Sequence, residues 1–285
     1  MDRIQAALAR ARDARRARLS GLPAAPSSAP LPAVVQPPRP DAWQALPGFA
    51  PSPETLARHR VVTRESGPKS VPFDVLRTRV VQQMRQGGWR RLAITSPGPG
   101  CGKSTVTMNL AYSLARLEEM RVVVVDFDLR RPAMARMLGF DGGHAITHVL
   151  RGRAELENQM VRVAPNLAFA TTRTAVRDPA ELLQGGRVQA MLDRVAEVYA
   201  PDILLFDLPP VMVSDDAIAF LPLVDCALMV AAAEQSTLGQ VDNCEREIAQ
   251  QTAMLGVVLN KCSHPGEGYG YGYGYDYATD APDEA

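Results

Sequence analysis

The chain has 285 residues, of which 46% are hydrophobic, and its 31 Lys and Arg residues balance 31 Asp and Glu residues. This length and apolar content suffice for one large domain with tails, and the balanced charge argues against a nucleic-acid-binding protein. Its four cysteines (Cys101, Cys226, Cys244 and Cys262) lack Cys-x-x-Cys spacing, which argues against a zinc site or a disulfide framework and indicates a reducing cytoplasm. No run of 18 apolar residues occurs, so we expect a soluble protein.

Two segments precede the predicted domain. Residues 1–20 contain six Arg and two Asp and are predicted to form a basic helical tail, either solvated or docked on an acidic partner or an anionic membrane. Residues 21–65 are rich in Pro and Ala, with ten prolines between positions 21 and 53, and are predicted to be a disordered linker. Trp43 and Phe49 lie within it, and two interpretations stay open for them: contact with a partner, or folding back on the domain.

Residues 66–263 are predicted to form one α/β domain. A helix over 73–86 precedes a strand at 91–95, a glycine-rich loop and a helix over 103–117. Further strands are expected at 121–126, 167–170, 203–207, 227–231 and 256–260, and further helices over 180–199 and 238–249. This alternation predicts a mostly parallel β-sheet flanked by helices.

The glycine-rich loop has the composition of a phosphate cradle. The segment TSPGPGCGKST spans residues 95–105 and lies between a predicted strand and a predicted helix. Glycine lets successive backbone N–H groups turn inward, Lys103 supplies a cation for the β and γ phosphates, and the Ser104 hydroxyl is a ligand for Mg²⁺. Pro97 stands where the strict pattern has its first glycine. The predicted nucleotide-binding residues of this loop are Gly98, Pro99, Gly100, Cys101, Gly102, Lys103, Ser104 and Thr105.

Two apolar strands end in aspartates. VVVVD ends at Asp126, with Asp128 two residues later, and ILLFD ends at Asp207. Parallel strands present their carboxyl ends at the edge where open α/β sheets bind ligands, so these carboxylates are predicted to reach Mg²⁺ beside the phosphate loop. The alternative is that each aspartate only caps the segment that follows it.

Residues 264–285 form a Gly/Tyr-rich, acidic C-terminal segment. It holds five of the seven tyrosines, which are Tyr269, Tyr271, Tyr273, Tyr275 and Tyr277. Gly-Tyr alternation cannot build a core, so a low-complexity or self-associating end is one interpretation. The other is a set of phosphoryl acceptors held at high effective concentration near a nucleotide-binding domain, where each phosphate would add nearly two negative charges.

Taken together, these motifs resemble those of the bacterial tyrosine kinases of the CpsD/CapB type, which are autokinases of capsule and exopolysaccharide synthesis. TSPGPGCGKS resembles the family's Walker A motif with Cys101 in place of Glu, DFDLRRP (126–132) matches its Walker A′ motif, and FDLPP (206–210) matches its Walker B motif. PAELL (179–183), SDDA (214–217) and VLNK (258–261) are supporting matches.

The resemblance implies a P-loop NTPase fold with deviant Walker motifs, like that of MinD and ParA, and an autokinase that uses ATP and Mg²⁺. It assigns the phosphates to Lys103, Mg²⁺ to Ser104 and Asp207 with help from Asp128, and the role of base to Asp126. Asp126 and Asp128 could exchange roles. Asn260 would contact adenine, and the five tail tyrosines would accept phosphate.

The resemblance also implies partners. These are the cytoplasmic segment of a membrane-anchored polysaccharide co-polymerase, other copies of the chain and a cognate tyrosine phosphatase, with no nucleic acid. The protein would be cytoplasmic, at the inner face of the plasma membrane through its partner. The family's ring-forming motif E-x-x-R-x-x-R aligns with Val71, Asp74 and Arg77, and only the last position matches, which weakens the expectation of a ring.

Two alternative functions stay open. A MinD/ParA-like ATPase switch would hydrolyse ATP to cycle dimers on a membrane or DNA. Its signature lysine is replaced here by Gly98, and that function gives the tyrosine segment no role. A non-catalytic nucleotide-binding regulator of polysaccharide export would act by contact alone. The presence of every expected catalytic carboxylate argues against the regulator.

Overall fold

The computed structural model describes residues 42–263, which contain a seven-stranded sheet. The strand order is β3-β4-β2-β5-β1-β6-β7, and all neighbours are parallel except β3 and β4. The strands are β1 (Arg91–Thr95), β2 (Val122–Asp126), β3 (Met160–Ala164), β4 (Leu167–Ala170), β5 (Ile203–Asp207), β6 (Cys226–Ala232) and β7 (Ala253–Asn260). The predicted α/β class with a mostly parallel sheet is confirmed.

Helices connect the strands and cover the sheet. They are α1 (Ala42–Ala45), α2 (Pro53–Arg58), α3 (Val71–Gly87), α4 (Lys103–Ala115), α5 (Met134–Leu138), α6 (Ile146–Leu150), α7 (Pro179–Gln184), α8 (Gly186–Tyr199), α9 (Asp216–Phe220) and α10 (Leu238–Gln251). Two 3₁₀ helices span Leu156–Gln159 and Leu221–Leu223. Within residues 42–263, no helix has both the length and the apolar content to span a bilayer.

Successive side chains of the central strands enter two different cores. In β2, Val123 and Val125 belong to one hydrophobic cluster, whereas Val122 and Val124 belong to the other. Strand side chains alternate between the two faces of a sheet, and a sheet covered on both faces needs apolar residues at every position. The continuous VVVV run therefore follows from burial on both faces.

The strand order brings the carboxyl ends of the motif strands together. β5 lies between β2 and β1, with Asp207 paired in register with Asp126 on one side and Ile94 on the other. The loops that leave β1, β2 and β5 therefore emerge side by side at one edge of the sheet.

The predicted disordered linker is wrong for residues 42–65, which pack on the domain. Trp43 is 1% exposed, donates from Nε1 to the Pro165 carbonyl at 2.7 Å and meets Tyr199 edge-on. Phe49 contacts Phe140 edge-on, so both aromatic residues fold back on the domain. Burying such large apolar surfaces outweighs the extended tendency of the prolines around them. The predicted basic tail, the rest of the linker and the tyrosine segment lie outside the described residues.

Other elements also differ from the predictions, and the short helices α5, α6 and α9 were not predicted. The helix expected over 180–199 is two helices, because Gly185 adopts an extended conformation (φ −67°, ψ 145°) between α7 and α8. β3 was not predicted; it pairs antiparallel with β4 at the edge of the sheet, and its second half is only partly buried.

Candidate active site

The glycine-rich loop connects β1 to α4 and requires glycine at two positions. Gly100 and Gly102 have φ values of 77° and 90°, in the left-handed region that other residues rarely adopt. A Cβ atom on Gly102 would also lie 2.3 Å from the side-chain nitrogen of Asn260. A side chain at position 102 would therefore be strained by the backbone conformation and would displace the Asn260 amide.

The loop ends at the N-terminus of the 13-residue helix α4. Gly102 is its N-cap, no side chain caps it, and its first turn has no acidic residue. The N-terminus of a helix carries a partial positive charge and free N–H groups, which suits an anion such as a phosphate.

Lys103 is the cation of the site and is held by two carboxylates. Its Nζ lies 2.6 Å from Oδ2 of Asp128 and 3.5 Å from Oδ2 of Asp207. Burial alone would lower the pKa of Lys103, but the charges of Asp207 and Asp128 outweigh burial, and the pKa is raised. The lysine is therefore cationic at neutral pH.

Ser104 and Asp207 form the second pair of the site. The Ser104 hydroxyl donates to Oδ2 of Asp207 at 2.5 Å, and the Thr107 hydroxyl lies 3.4 Å from Oδ1. Burial raises the pKa of the fully buried Asp207, while Lys103 and the Ser104 hydrogen bond act in the opposite direction. A hydroxyl and a carboxylate in contact at a phosphate loop match the oxygen ligands that Mg²⁺ prefers.

The two carboxylate oxygens of Asp126 differ in their hydrogen bonding. Its Oδ2 accepts hydrogen bonds from the backbone N–H groups of Ala133 and Met134, both at 2.9 Å. Its Oδ1 is buried and has no hydrogen-bond partner within the described part of the chain. Burial, followed by the neighbouring charge of Asp207, raises the pKa of Asp126 to about 8.

The donor set fits a magnesium ion that is shared with a nucleotide. Two buried carboxylates, Asp128 and Asp207, share one buried cation, Lys103, so an added cation would improve the charge balance. Between residues 42 and 263, no group of three or more His, Cys, Asp and Glu side chains is arranged to hold a metal by itself. Mg²⁺ commonly binds through one or two protein ligands together with substrate phosphates and water.

A cavity of about 420 Å³ opens in front of these groups. Three segments line most of it: the glycine-rich loop, the stretch from Asp128 to Met137, and the residues after β5 from Pro209 to Ser214. His59 also lines the cavity, although it lies in the segment that was predicted to be a linker. Asp128 lines the cavity, whereas Asp126 is not among its lining residues.

The structure brings most of the predicted site residues to this edge of the sheet. Gly98 to Thr105 form the loop and the first turn of α4, with the Cys101 sulfur buried and 3.6 Å from the Ser236 hydroxyl. Asn260 donates from Nδ2 to the Cys101 carbonyl at 2.9 Å, which ties the end of β7 to the loop. The five predicted phosphoacceptor tyrosines lie outside the described residues.

Sequence reasoning missed one ion pair beside the site. The guanidinium of Arg130 contacts both carboxylate oxygens of Asp216, at 2.5 and 2.9 Å, and the Asp216 side chain is fully buried. The Ser214 hydroxyl donates to the same carboxylate. Both partners lie in motifs that were recognised, DLRRP and SDDA, but only the fold brings together residues that are 86 positions apart.

The chain belongs to the P-loop NTPase family described as "ParA: NUBPL iron-transfer P-loop NTPase", which matches residues 89–268. The predicted P-loop fold with deviant Walker motifs of the MinD/ParA kind is thereby confirmed.

The expected resemblance to bacterial tyrosine kinases of the CpsD type is also confirmed. The chain is 32% identical over 187 residues to the putative tyrosine-protein kinase EpsB of Ralstonia nicotianae, a match that covers 65% of this chain and 24% of that protein. It is 28% identical to the tyrosine-protein kinase CpsD of Streptococcus agalactiae, covering 67% of this chain and 82% of that one. The kinase domain of the Escherichia coli tyrosine kinase ETK superposes with a TM-score of 0.63 at 26% identity, over 71% of this chain and 80% of the domain. The matched region is thus about a quarter of EpsB.

Proposed function

We propose that this protein is an ATP- and Mg²⁺-dependent protein-tyrosine kinase that phosphorylates its own C-terminal tyrosine cluster. The observation that carries the proposal is the buried Lys103–Asp128–Asp207–Ser104 constellation, which opens into a cavity at the N-terminus of α4. The tyrosine kinases among its relatives and the five clustered tyrosines of residues 264–285 favour tyrosine as the acceptor.

Lys103 and the loop would hold the phosphates of ATP. The Lys103 ammonium is already cationic and directed into the carboxylate cluster, so the incoming phosphates would compete with Asp128 for it. The N-terminus of α4 would stabilise the charge on the phosphates. Ser104, Asp207 and Asp128 would hold Mg²⁺, which when bound neutralises phosphate charge. Asn260 would border the adenine side of the site, since it contacts the loop at Cys101.

The transfer requires a base for the phenolic proton. The tyrosine oxygen attacks the γ-phosphorus, the bond between the γ-phosphorus and the bridging oxygen breaks, ADP leaves, and the phenolic proton goes to a carboxylate. Asp126 is our proposed base, because its Oδ1 is free and its pKa of about 8 lies near the working pH. Asp128, which lines the cavity, is the other candidate for this role.

We further propose that the kinase acts in the cytoplasm, at the inner face of the plasma membrane. It would regulate exopolysaccharide or capsule polymerisation and export there, through the cytoplasmic segment of a membrane-anchored co-polymerase. Self-association would let the tail of one copy reach the site of another, and a tyrosine phosphatase would reset the tail. The resemblance of the motifs to the capsule and exopolysaccharide autokinases supports these proposals.

The ATPase switch is the second candidate, favoured by the match to the ParA family. Gly98 occupies the position of the switch proteins' signature lysine, which argues against it.

Intact-mass analysis separates the two functions. Phosphatase-treated wild type is incubated with Mg-ATP beside Lys103→Met and beside a variant with all five tail tyrosines changed to Phe. The kinase gains phosphates in several steps in the wild type only. ATP consumption without any gain in mass, with or without a co-polymerase segment, would identify a switch instead.

A further inference from the structure

Besides the phosphate loop, basic residues line the cavity, and three of them form a basic wall. We define this basic wall as His59, Arg131 and Arg136, all of which line the cavity. They come from three places: His59 follows α2, Arg131 lies in the loop after β2, and Arg136 lies on α5. α2 packs on α5, so the segment that was predicted to be a linker contributes part of the wall.

The two arginines of the basic wall are available to a ligand. Both are exposed, and neither has an ion-pair partner among residues 42–263, whereas their neighbour Arg130 is paired with buried Asp216. Arg131 is fixed through its backbone, whose N–H donates to Oδ1 of Asp128 at 3.1 Å. His59 is predominantly neutral at pH 7, because burial and then the charges of Arg136 and Arg58 lower its pKa. It therefore offers a hydrogen bond beside two free positive charges.

The basic wall is tied to the carboxylate that we propose as the base. Asp126 accepts hydrogen bonds from the backbone of Ala133 and from that of Met134, the first residue of α5. Arg136 lies two residues further along the same helix. A short helix held by two hydrogen bonds to Asp126 therefore carries one residue of the wall.

The phosphates of the nucleotide already have their own partners at the loop. Lys103 and the N-terminus of α4 supply the positive charge that a triphosphate needs there. The charges of the basic wall are therefore free to select what accepts the phosphate.

We propose that the basic wall selects tyrosines that lie in acidic sequence, and that the ligand it selects is the C-terminal segment of this chain, residues 264–285. The inference rests on the proposed kinase function. Residues 264–285 carry five acidic residues and no Lys or Arg, so their charge complements the wall. The acidic residues are Glu267, Asp276, Asp280, Asp283 and Glu284.

A double-mutant cycle on the full-length chain tests the pairing. One change is Arg136→Gln; the other neutralises the five acidic tail residues to Asn or Gln and keeps every tyrosine. With the natural tail, we expect Arg136→Gln to slow tail phosphorylation about threefold to tenfold; with the neutral tail, it has no further effect. Arg58→Gln is the matched control, because Arg58 is exposed on α2 and does not line the cavity. An equal loss with both tails would place Arg136 in nucleotide binding and overturn the proposal.

A binding measurement keeps the inference separate from the chemistry. The host is the full-length chain with the neutral tail, loaded with a non-hydrolysable ATP analogue. A fluorescent peptide of residues 264–285 is titrated in and compared with its neutralised counterpart by anisotropy. The acidic peptide binds more tightly, and Arg131→Gln together with Arg136→Gln removes the difference. If the wild type transfers no phosphate, the proposed function fails and this binding result alone decides the inference. Equal binding of the two peptides would overturn it.

Discussion

The charged groups on the inner face of the cavity are paired, whereas those of the basic wall are not paired within the described residues. On the inner face, Lys103 contacts Asp128 and Asp207, and all three are buried. On the basic wall, Arg131 and Arg136 are exposed and have no ion-pair partner in the described part of the chain. Buried charges are costly unless they are paired, so the inner set must be complete before substrate arrives. Exposed charges cost little when unpaired and can be satisfied by an incoming ligand.

This difference separates two tasks. The paired inner groups are arranged for a fixed reaction, because moving one of them would leave another buried charge without its partner. Residues of the basic wall can be replaced without leaving a buried charge unpaired, so this wall is suited to selecting a substrate. Changes on the inner face should therefore have large effects on chemistry, while changes on the wall should act on affinity.

Lys103→Met tests the inner face most severely. The substitution removes its cation and leaves Asp128 and Asp207 without their partner. We expect phosphoryl transfer to fall at least roughly 100-fold, because a preorganised charge at the reacting phosphate is lost. Initial rates of phosphate incorporation measure the effect. Lys69→Met is the control, since Lys69 is exposed. Near-normal transfer by Lys103→Met would show that the reaction uses another site.

Trp43→Ala tests whether the segment that carries His59 is part of the folded domain. Trp43 is buried against Tyr199 and bonded to Pro165, so the substitution should lower the free energy of unfolding by about 3–5 kcal/mol. Urea denaturation measures the loss, with Gln44→Ala on the exposed face of α1 as the control. If both variants unfold at the same urea concentration, residues 42–65 do not form part of the folded domain.

Asp126→Asn tests the buried carboxylate through pH. The pKa of Asp126 is about 8 in the folded protein and about 4 when unfolded, so the folded state binds the extra proton between these values. Stability of the nucleotide-free protein should therefore be highest at low pH in this window and fall as the pH rises towards 8. Calorimetry from about pH 5 to pH 8 should show a flatter Tm profile for Asp126→Asn than for the wild type. Parallel profiles would mean that Asp126 is ionised throughout.

Asn260→Ala is expected to have the smallest effect of the series. It removes one hydrogen bond to the Cys101 carbonyl and leaves the phosphate contacts of the loop unchanged. Nucleotide affinity should weaken about twofold to tenfold, corresponding to about 0.5–1.5 kcal/mol. Titration with a fluorescent ATP analogue measures it, with Asn243→Ala on the exposed face of α10 as the control. A loss of nucleotide affinity far beyond tenfold would show that Asn260 itself contacts the nucleotide.

The residues of the inner face were predictable from sequence, whereas the formation of the basic wall was not. Asp126 and Asp207 end short apolar strands, Lys103 follows the loop after another, and parallel topology brings such strand ends to one edge. His59 reaches the cavity because the helix before it packs on α5 and buries Leu56. Local composition describes the prolines but not the distant surfaces on which the apolar residues between them pack.

The ratio of ADP released to phosphotyrosine formed distinguishes a kinase site from an ATPase site. Both quantities are measured in one reaction of the full-length protein with Mg-ATP, during the first turnovers after phosphatase treatment. The inner face as a kinase site predicts a ratio close to one, and no phosphotyrosine in the variant whose five tail tyrosines are Phe. ADP release that continues undiminished in that variant, without phosphotyrosine in the wild type, would contradict a kinase and leave an ATPase.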